Sequence, residues 1–186
     1  TLADVTAECE ATALIAPTAT DNCGGIVTVS NDVTLPISTQ GTTIVTWTYT
    51  DASGNASTQT QNIVIDDVTA PVADIATLAD VTAECEVTAL TDPTATDNCG
   101  GIVAVSSDAT LPISIQGTTI VTWTYDDGNG NTSTQTQNIV IDDVTAPVAD
   151  IATLVDVTAE CEVTALTDPT ATDNCGGIVT VSNDVT

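Results

Sequence analysis

The sequence predicts an all-β protein made of tandem β-sandwich domains, and three observations carry this prediction. Thr1–Glu10 returns at Thr77–Glu86 and again, with one change, at Thr153–Glu162, so the chain repeats with a period of about 76 residues. Thr and Val dominate the segments between turns, as strand propensity favours, and no segment has the apolar spacing of an amphipathic helix. Short alternating segments separated by turn residues are typical of a sandwich of about seven strands.

The repeat predicts where one domain ends and the next begins. Residues 1–76 and 77–152 are identical at 65 of 76 positions, so we expect equivalent small domains in a row. The segment Ile63–Asp74 recurs unchanged at Ile139–Asp150 and has the character of a joint: a strand end, two acids and a proline. The predicted domains are 1–67, which lacks its first strand, 68–143, which is complete, and 144–186, which is partial. We therefore expect the chain to be a window of a longer array.

The complete middle repeat shows the predicted elements in order. The segment Thr118–Tyr125 is the clearest strand, because Val121, Trp123 and Tyr125 are predicted to point to one face, the core face, and Ile120, Thr122 and Thr124 to the other. Residues 89–101 carry Asp-Pro and Asp-Asn-Cys-Gly-Gly sequences and are predicted to be loop. The other predicted strands are Val72–Leu78, Asp80–Thr88, Ile102–Val105 and Thr132–Asp142, with a short edge piece at Leu111–Ile113.

The composition excludes several function classes. The chain has no Lys, Arg or His and 26 acidic residues, which gives a formal net charge of -26. Nucleic acids and anionic membranes are therefore disfavoured as partners, because both are bound through cationic side chains. No ion pair can form between side chains of this chain. Each carboxylate must be solvated, capped by backbone donors or neutralised by a cation from outside.

The six cysteines predict a disulfide framework and an oxidising environment. They occur as pairs 14 residues apart, and we expect one disulfide in each repeat: Cys9 with Cys23, Cys85 with Cys99, and Cys161 with Cys175. Zinc is a weaker alternative, because each repeat offers two thiols and no histidine. Disulfides predict an extracellular or cell-surface location. No apolar run approaches the length of a membrane span, so we expect no direct membrane insertion in this window.

The repeat resembles the hyalin repeat (HYR) family over its whole length. The resemblance is carried by Pro17–Gly25, by Gly41–Asn55 and by Ile65–Asp67 followed by Thr69–Pro71, and the run Thr-Asp-Ala-Ser-Gly-Asn is its most specific part. The resemblance implies immunoglobulin-like sandwiches and extracellular adhesion. Near-identical acidic copies are most similar to large surface adhesins of Bacteroidetes-type bacteria. The second cysteine departs from the pattern, because it lies in Asp-Asn-Cys and does not follow the Gly-Asn turn.

The immunoglobulin-like fold implied by this resemblance predicts calcium at the joints. The tail of one domain would meet two loops of the next, so that carboxylate and amide oxygens converge, as Ca²⁺ prefers. The alternative is that these acids belong to ordinary turns with a solvated surface. Asp92 and Asp126 are dispensable, because the first repeat has Ala16 and Thr50 there. The candidate ligands are Asp66, Asp67, Asp97, Asn98, Asp127, Asn129 and Asn131 at the first joint, Asp142, Asp143, Asp173 and Asn174 at the second, and Asp21, Asp51 and Asn55 in the first repeat.

These features predict a structural role in place of catalysis. The only acid–base candidates are carboxylates, such as Glu8 and Glu10 on either side of Cys9, and few aromatic side chains are present to line a substrate cleft. We expect a non-enzymatic array that forms a stalk, an adhesin or a filament at a bacterial surface. Its partners would be other copies of itself, in tandem or as a fibre, and an unknown surface ligand. Direct binding of carbohydrate or another surface ligand by each repeat is the alternative.

Overall fold

The computed structural model describes residues 2–184, and all regular secondary structure in that range is β-strand. The prediction of an all-β chain of tandem immunoglobulin-like sandwiches is confirmed. The strands are β1 Val5–Ala7, β2 Thr28–Asn31, β3 Gly41–Thr50, β4 Ala56–Ile65, β5 Val72–Ala73, β6 Val81–Ala83, β7 Ala95–Thr96, β8 Ala104–Ser107, β9 Gly117–Asp126, β10 Thr132–Ile141, β11 Val148–Ala149 and β12 Ala171–Thr172.

The first four strands form one sheet in the order β1-β4-β3-β2. Strands β3 and β4 are an antiparallel hairpin of ten residues each, and β2 pairs antiparallel with the outer edge of β3. Strand β1 pairs parallel to β4, with Val5 opposite Ile63 and Ala7 opposite Ile65. The end of β1 therefore lies beside the end of β4, where the chain leaves the repeat.

The second repeat reproduces this sheet in the order β6-β10-β9-β8. The strands predicted over Thr118–Tyr125 and Thr132–Asp142 are confirmed as β9 and β10. The loop predicted over residues 89–101 is wrong in part, because Ala95 and Thr96 form β7 and pair antiparallel with β5. The predicted edge piece contributes one isolated bridge, between Ile113 and Val87.

The core lies on one face of each four-stranded sheet. In the first repeat Val45, Trp47 and Tyr49 of β3 point to this face and are buried, together with Ile63 and Ile65 of β4. Ala11 and Ile37 form a bridge outside the sheet and complete the buried cluster. The period-2 alternation of the sequence thus describes the hairpin correctly, since successive side chains of a strand point to opposite faces.

Glutamine side chains satisfy the polar atoms of the core aromatics. The Trp47 indole Nε1–H donates to Gln61 Oε1 at 3.0 Å, and Gln61 Nε2 donates to the Ala3 carbonyl at 2.8 Å. The Tyr49 hydroxyl donates to Gln59 Oε1 at 2.9 Å. Gln61 therefore ties the most buried aromatic ring of this repeat to the segment that leads into β1.

We expect Gln61→Ala to lower the free energy of unfolding by about 1–3 kcal/mol, because it leaves the buried indole N–H without an acceptor. Urea denaturation followed by Trp fluorescence measures the effect. Thr60→Ala is the matched control, because Thr60 is its neighbour on β4 and is exposed. Equal unfolding midpoints for the two variants would contradict this role of Gln61.

The chain divides into two compact units. One contains Thr1–Ala76, Pro93–Ser106 and Thr124–Gln135, and the other contains Thr77–Asp92, Ser107–Trp123 and Thr136–Thr186. The domain boundaries after residues 67 and 143 stay a prediction. Within residues 2–184, no helix is long and apolar enough to cross a membrane.

Candidate metal centre

The two disulfides join successive repeats. Cys9 is bonded to Cys99 and Cys85 to Cys175, each pair 90 residues apart in sequence with a Cα–Cα distance of 4.8 Å. The predicted pairing within each repeat is therefore wrong, and Cys23 and Cys161 are exposed free thiols. Cys9–Cys99 lies within the first compact unit and Cys85–Cys175 within the second.

The strand arrangement explains why Cys9 and Cys23 do not pair. Cys9 follows β1, which ends beside the end of β4, and the Asp66 amide donates to the Ala7 carbonyl at 3.0 Å. Cys23 lies in a turn that begins at Asp21, and Asp21 lines a pocket with residues at the start of β4. A strand of ten residues at about 3.3 Å per residue separates these two ends by about 30 Å.

Two buried carboxylates face each other beside the Cys9–Cys99 disulfide. Asp67 follows β4 and is 4% exposed, and Asp97 follows β7 and is 7% exposed. One oxygen of each lies within 4.8 Å of the other and of Cys99 Sγ. The Cys99 amide donates to Asp97 Oδ1 at 2.9 Å, but Asp97 Oδ2 is buried without a hydrogen-bond partner. The junction therefore holds an oxygen that needs a further partner.

The loop between β9 and β10 surrounds Asp67 with amides. Asn129 Nδ2 donates to Asp67 Oδ2 at 3.1 Å, and Asn131 Nδ2 donates both to the Asp67 carbonyl at 2.9 Å and to Asp127 Oδ2 at 2.7 Å. Gly128 and Gly130 have positive φ angles of 81° and 107°, which let the loop turn tightly enough to present both asparagines. The loop thereby holds the Asp67 side chain and backbone in place.

Asp127 is held as a carboxylate by the same loop. Desolvation opposes its ionisation, but hydrogen bonds from the Asn131 side chain and from the backbone of Asn129 and Asn131 outweigh it and lower the pKa. In the first repeat Asn55 donates to Asp51 in the same way, and this bond lowers the pKa of Asp51. Both loops therefore present an ionised carboxylate.

Four further side chains lie at the junction although none of them is among the predicted ligands. Glu8 accepts hydrogen bonds from Asn98 Nδ2 at 2.9 Å and from the Thr69 hydroxyl at 3.2 Å. Gln40 accepts from the Asp67 amide at 3.0 Å and donates to the Glu8 carbonyl at 3.3 Å, and Ser133 donates to the Pro71 carbonyl. Because most positions are identical between copies, repetition alone did not distinguish these residues.

The donor set fits a hard divalent cation. Asp67 and Asp97 offer carboxylate oxygens that lie within 4.8 Å of each other, and the chain contains no basic side chain to neutralise them. Cys99 Sγ belongs to a disulfide and is not a thiolate ligand. Ca²⁺ prefers carboxylate and amide oxygens in flexible geometry, and the unpartnered Asp97 Oδ2 supplies the position where such an ion would bind.

The second junction has the same carboxylate pair beside a disulfide, but the pair is more exposed to solvent. Asp143, Asp173 and Cys175 have ligand atoms within 4.8 Å of one another, and Asp143 is exposed. Asn174 Nδ2 donates to Glu84 Oε2 at 2.6 Å, as Asn98 does to Glu8. Asp143 is therefore less shielded from solvent than Asp67, which is buried.

The remaining candidate ligands contribute no oxygen to the carboxylate pairs Asp67–Asp97 and Asp143–Asp173. Asp66 and Asp142 have exposed side chains, and their amides donate to the Ala7 and Ala83 carbonyls. Asn98 and Asn174 use their amide N–H groups on Glu8 and Glu84. Asp21, Asp51 and Asn55 line one pocket at the start of β4, which corresponds to the Asp97 and Asp127 region of the second repeat.

Comparisons with known proteins identify one family and two relatives, both of them named hyalin. Residues 2–65 and 69–141 match a family described as "HYR-like domain with 4 cysteines". Hyalin from Strongylocentrotus purpuratus is 35% identical over 187 residues, which cover 89% of this chain and 15% of that protein. Hyalin from Lytechinus variegatus is 36% identical over 176 residues, which cover 84% of this chain and 32% of that protein. The chain thus spans less than a third of either relative.

Solved structures show a weaker likeness. The protocadherin GammaB4 extracellular domain gives a TM-score of 0.33 at 16% identity, covering 62% of this chain and 25% of that one. The human desmocollin-1 ectodomain gives a TM-score of 0.30 at 14% identity, covering 59% of this chain and 28% of that one. Both TM-scores are low, so these two likenesses carry no weight for function.

Proposed function

Because the chain belongs to the family of HYR-like domains, we propose that it is part of a structural repeat array in an extracellular stalk, filament or adhesin. In this proposal calcium at the junctions and disulfides between successive repeats make the array rigid. The role is adhesive and structural, and no catalytic role is assigned. The observation that carries the calcium part is the pair Asp67 and Asp97, buried side by side with Asp97 Oδ2 unpartnered.

Electrostatics supports a cation at this position. Burying a carboxylate is costly unless it is paired or bound to a metal, and two neighbouring carboxylates also repel each other. The chain offers no Lys, Arg or His as a partner. A calcium ion ligated by Asp67 and Asp97, with Asp127 and the asparagines of its loop around it, would remove both costs. Because Asp67 ends one repeat and Asp97 belongs to the next, the ion would also fix the joint.

Calcium is therefore expected to raise the melting temperature of the oxidised chain. At free calcium about 100 times the dissociation constant, one site adds about 2.7 kcal/mol of stability. The measurement is a set of melting curves in calcium and in excess EGTA, with isothermal titration of calcium into the EGTA-treated, dialysed chain. Equal melting temperatures together with no binding heat would overturn the calcium part of the proposal. Magnesium at the same concentration is the control for unspecific screening of charge.

The form of the array is a separate part of the proposal. A stalk needs only covalently tandem repeats, whereas a fibre requires association between copies through sheet edges or faces. Negative-stain images of the purified chain in calcium separate the two: single thin threads support a stalk, and thicker bundles support a fibre.

Near-identical acidic copies support a bacterial surface as the location, and disulfides support an oxidising compartment. The matched hyalins come from sea urchins.

Direct carbohydrate binding by each repeat is the weaker alternative. Sugar sites commonly use exposed aromatic rings, but Trp47, Tyr49, Trp123 and Tyr125 are all buried in the two cores. These are all the aromatic residues that the sequence contains. Binding to a glycan array by the folded chain would restore this alternative, and an adhesive ligand of another class stays part of the proposal.

A further inference from the structure

The two disulfides enclose overlapping stretches of the chain. The first closes a loop from Cys9 to Cys99, and the second closes a loop from Cys85 to Cys175. Both loops contain the segment from Cys85 to Cys99. A continuous covalent route therefore runs from Cys9 across to Cys99, back along the chain to Cys85, and across to Cys175.

We propose that this route is a second, shorter covalent path that keeps successive repeats connected when a repeat unfolds or its backbone is cut. The path crosses a repeat through the segment between Cys85 and Cys99 alone, whereas the backbone runs through the whole repeat. At about 3.5 Å per extended residue, the disulfide path across a fully unfolded repeat is about 50 Å long. The backbone path across the same repeat would be about 270 Å long. The disulfides thus limit how far the array can be stretched.

The same connectivity protects against proteolysis. A single cut between Cys9 and Cys85 leaves two pieces joined by Cys9–Cys99, and a cut between Cys99 and Cys175 leaves two pieces joined by Cys85–Cys175. A cut in the shared segment is bridged by both bonds. The long hairpins β3–β4 and β9–β10 lie outside the shared segment, so damage to either core does not interrupt the path. Pairing within each repeat would bridge cuts only inside the short stretches between the paired cysteines.

Cleavage at one engineered position tests this path. A recognition sequence for a specific protease is inserted between Ser38 and Thr39, which are exposed and lie outside the candidate metal centre. The full chain is alkylated at its free thiols, cut in EGTA and run on a denaturing gel. We expect one band at the uncut mass without reductant and two fragments after dithiothreitol has reduced each disulfide to two thiols. Two fragments without reductant would overturn the proposal.

The matched control carries the same insertion with Cys9→Ser and Cys99→Ser. It is expected to separate into two fragments without reductant, because Cys85–Cys175 does not bridge this cut. One band from the control in the absence of reductant would show that another bond holds the fragments, and would also overturn the proposed path.

Single-molecule stretching of the chain without an insertion gives an independent measurement. With handles at both termini, the oxidised chain should reach about one fifth of the extended length of the reduced chain. A ratio of about four fifths, as pairing within each repeat would give, overturns the proposal. Both experiments are done in EGTA, so their outcome does not depend on calcium binding and separates this inference from the proposed function.

Discussion

Replacing both Cys9 and Cys99 by serine is expected to lower the free energy of unfolding of the oxidised chain by about 4–5 kcal/mol in the chain-entropy model. The bond closes a loop with a sequence separation of 90 residues, which in this model adds about 1.5 kcal/mol to what the short loop from Cys9 to Cys23 would give. Urea denaturation of the parent and the double variant, both without reductant, measures the difference. Stabilities of this size are a large share of what a small domain has.

Cys23→Ser provides the control for this prediction. Cys23 is an exposed free thiol, so its replacement should leave the unfolding midpoint within the range of an ordinary surface substitution. If Cys23→Ser destabilised the chain as much as Cys9→Ser, the two residues would be partners and the junction disulfide would be contradicted. Addition of reductant should bring the parent to the stability of a variant that lacks both junction disulfides.

The Asp97→Asn variant is expected to be more stable than the parent without calcium and to gain much less stability than the parent when calcium is added. In EGTA the substitution removes one of two buried, adjacent negative charges, and we expect a gain of about 1–3 kcal/mol. The new amide can also donate toward Asp67. In saturating calcium the variant should lose most of the stabilisation that the ion gives the parent, about 2.7 kcal/mol at 100 times the dissociation constant. Urea denaturation in the two buffers measures both effects.

Asp92→Asn is the charge-matched control. Asp92 lies in the same repeat, is exposed, and corresponds to Ala16 in the first repeat. It should show the same small change in both buffers, since it removes one surface charge and no ligand. If calcium stabilised Asp97→Asn as much as it stabilises Asp92→Asn and the parent, Asp97 would not be a calcium ligand.

The strands were predictable where one face of a strand is buried. Val121, Trp123 and Tyr125 alternate with less buried residues because β9 has a core face and an outer face, and this alternation is visible in sequence. Strand β7 was missed because its two residues are held by pairing with β5, which is a tertiary contact. The local Asp-Pro and Gly-Gly signals around it are those of a loop. Pairing with a distant segment overrode these local preferences.

The disulfide pairing was not predictable from spacing. The short separation between Cys9 and Cys23 favours a local bond, because a short loop costs less entropy to close. The parallel pairing of β1 with β4 decides against it, by placing Cys9 at the exit of the repeat. A parallel contact between the first and last strands of a repeat leaves no local signal in sequence. The repeat period shows that cysteines at equivalent positions recur in each repeat. It does not show which repeats the disulfides join.

The sequence predicted the kind of candidate site, a cation site at the joint, but it did not predict which residues form it. The absence of basic residues and the recurrence of Asp pairs at the joint indicated a cation site. The sequence could not distinguish Asp67, which is buried, from Asp66, which is exposed, because neighbouring residues of an extended segment point to opposite sides. Glu8 and Gln40 were missed for a related reason: their contacts at the junction are with segments far away in sequence.

The parallel pairing of β1 with β4 has a mechanical consequence for a single repeat. If Cys9–Cys99 is reduced and the repeat is pulled from the residues before Val5 and after Ile65, the two strands are displaced along their own length, in shear. The hydrogen bonds between them run across the direction of pulling and are strained together, so they resist as a group. An antiparallel pair of terminal strands, pulled from adjacent ends, would open one bond at a time. The three residue pairs from Val5–Ile63 to Ala7–Ile65 thus resist separation of β1 from β4 under such a load.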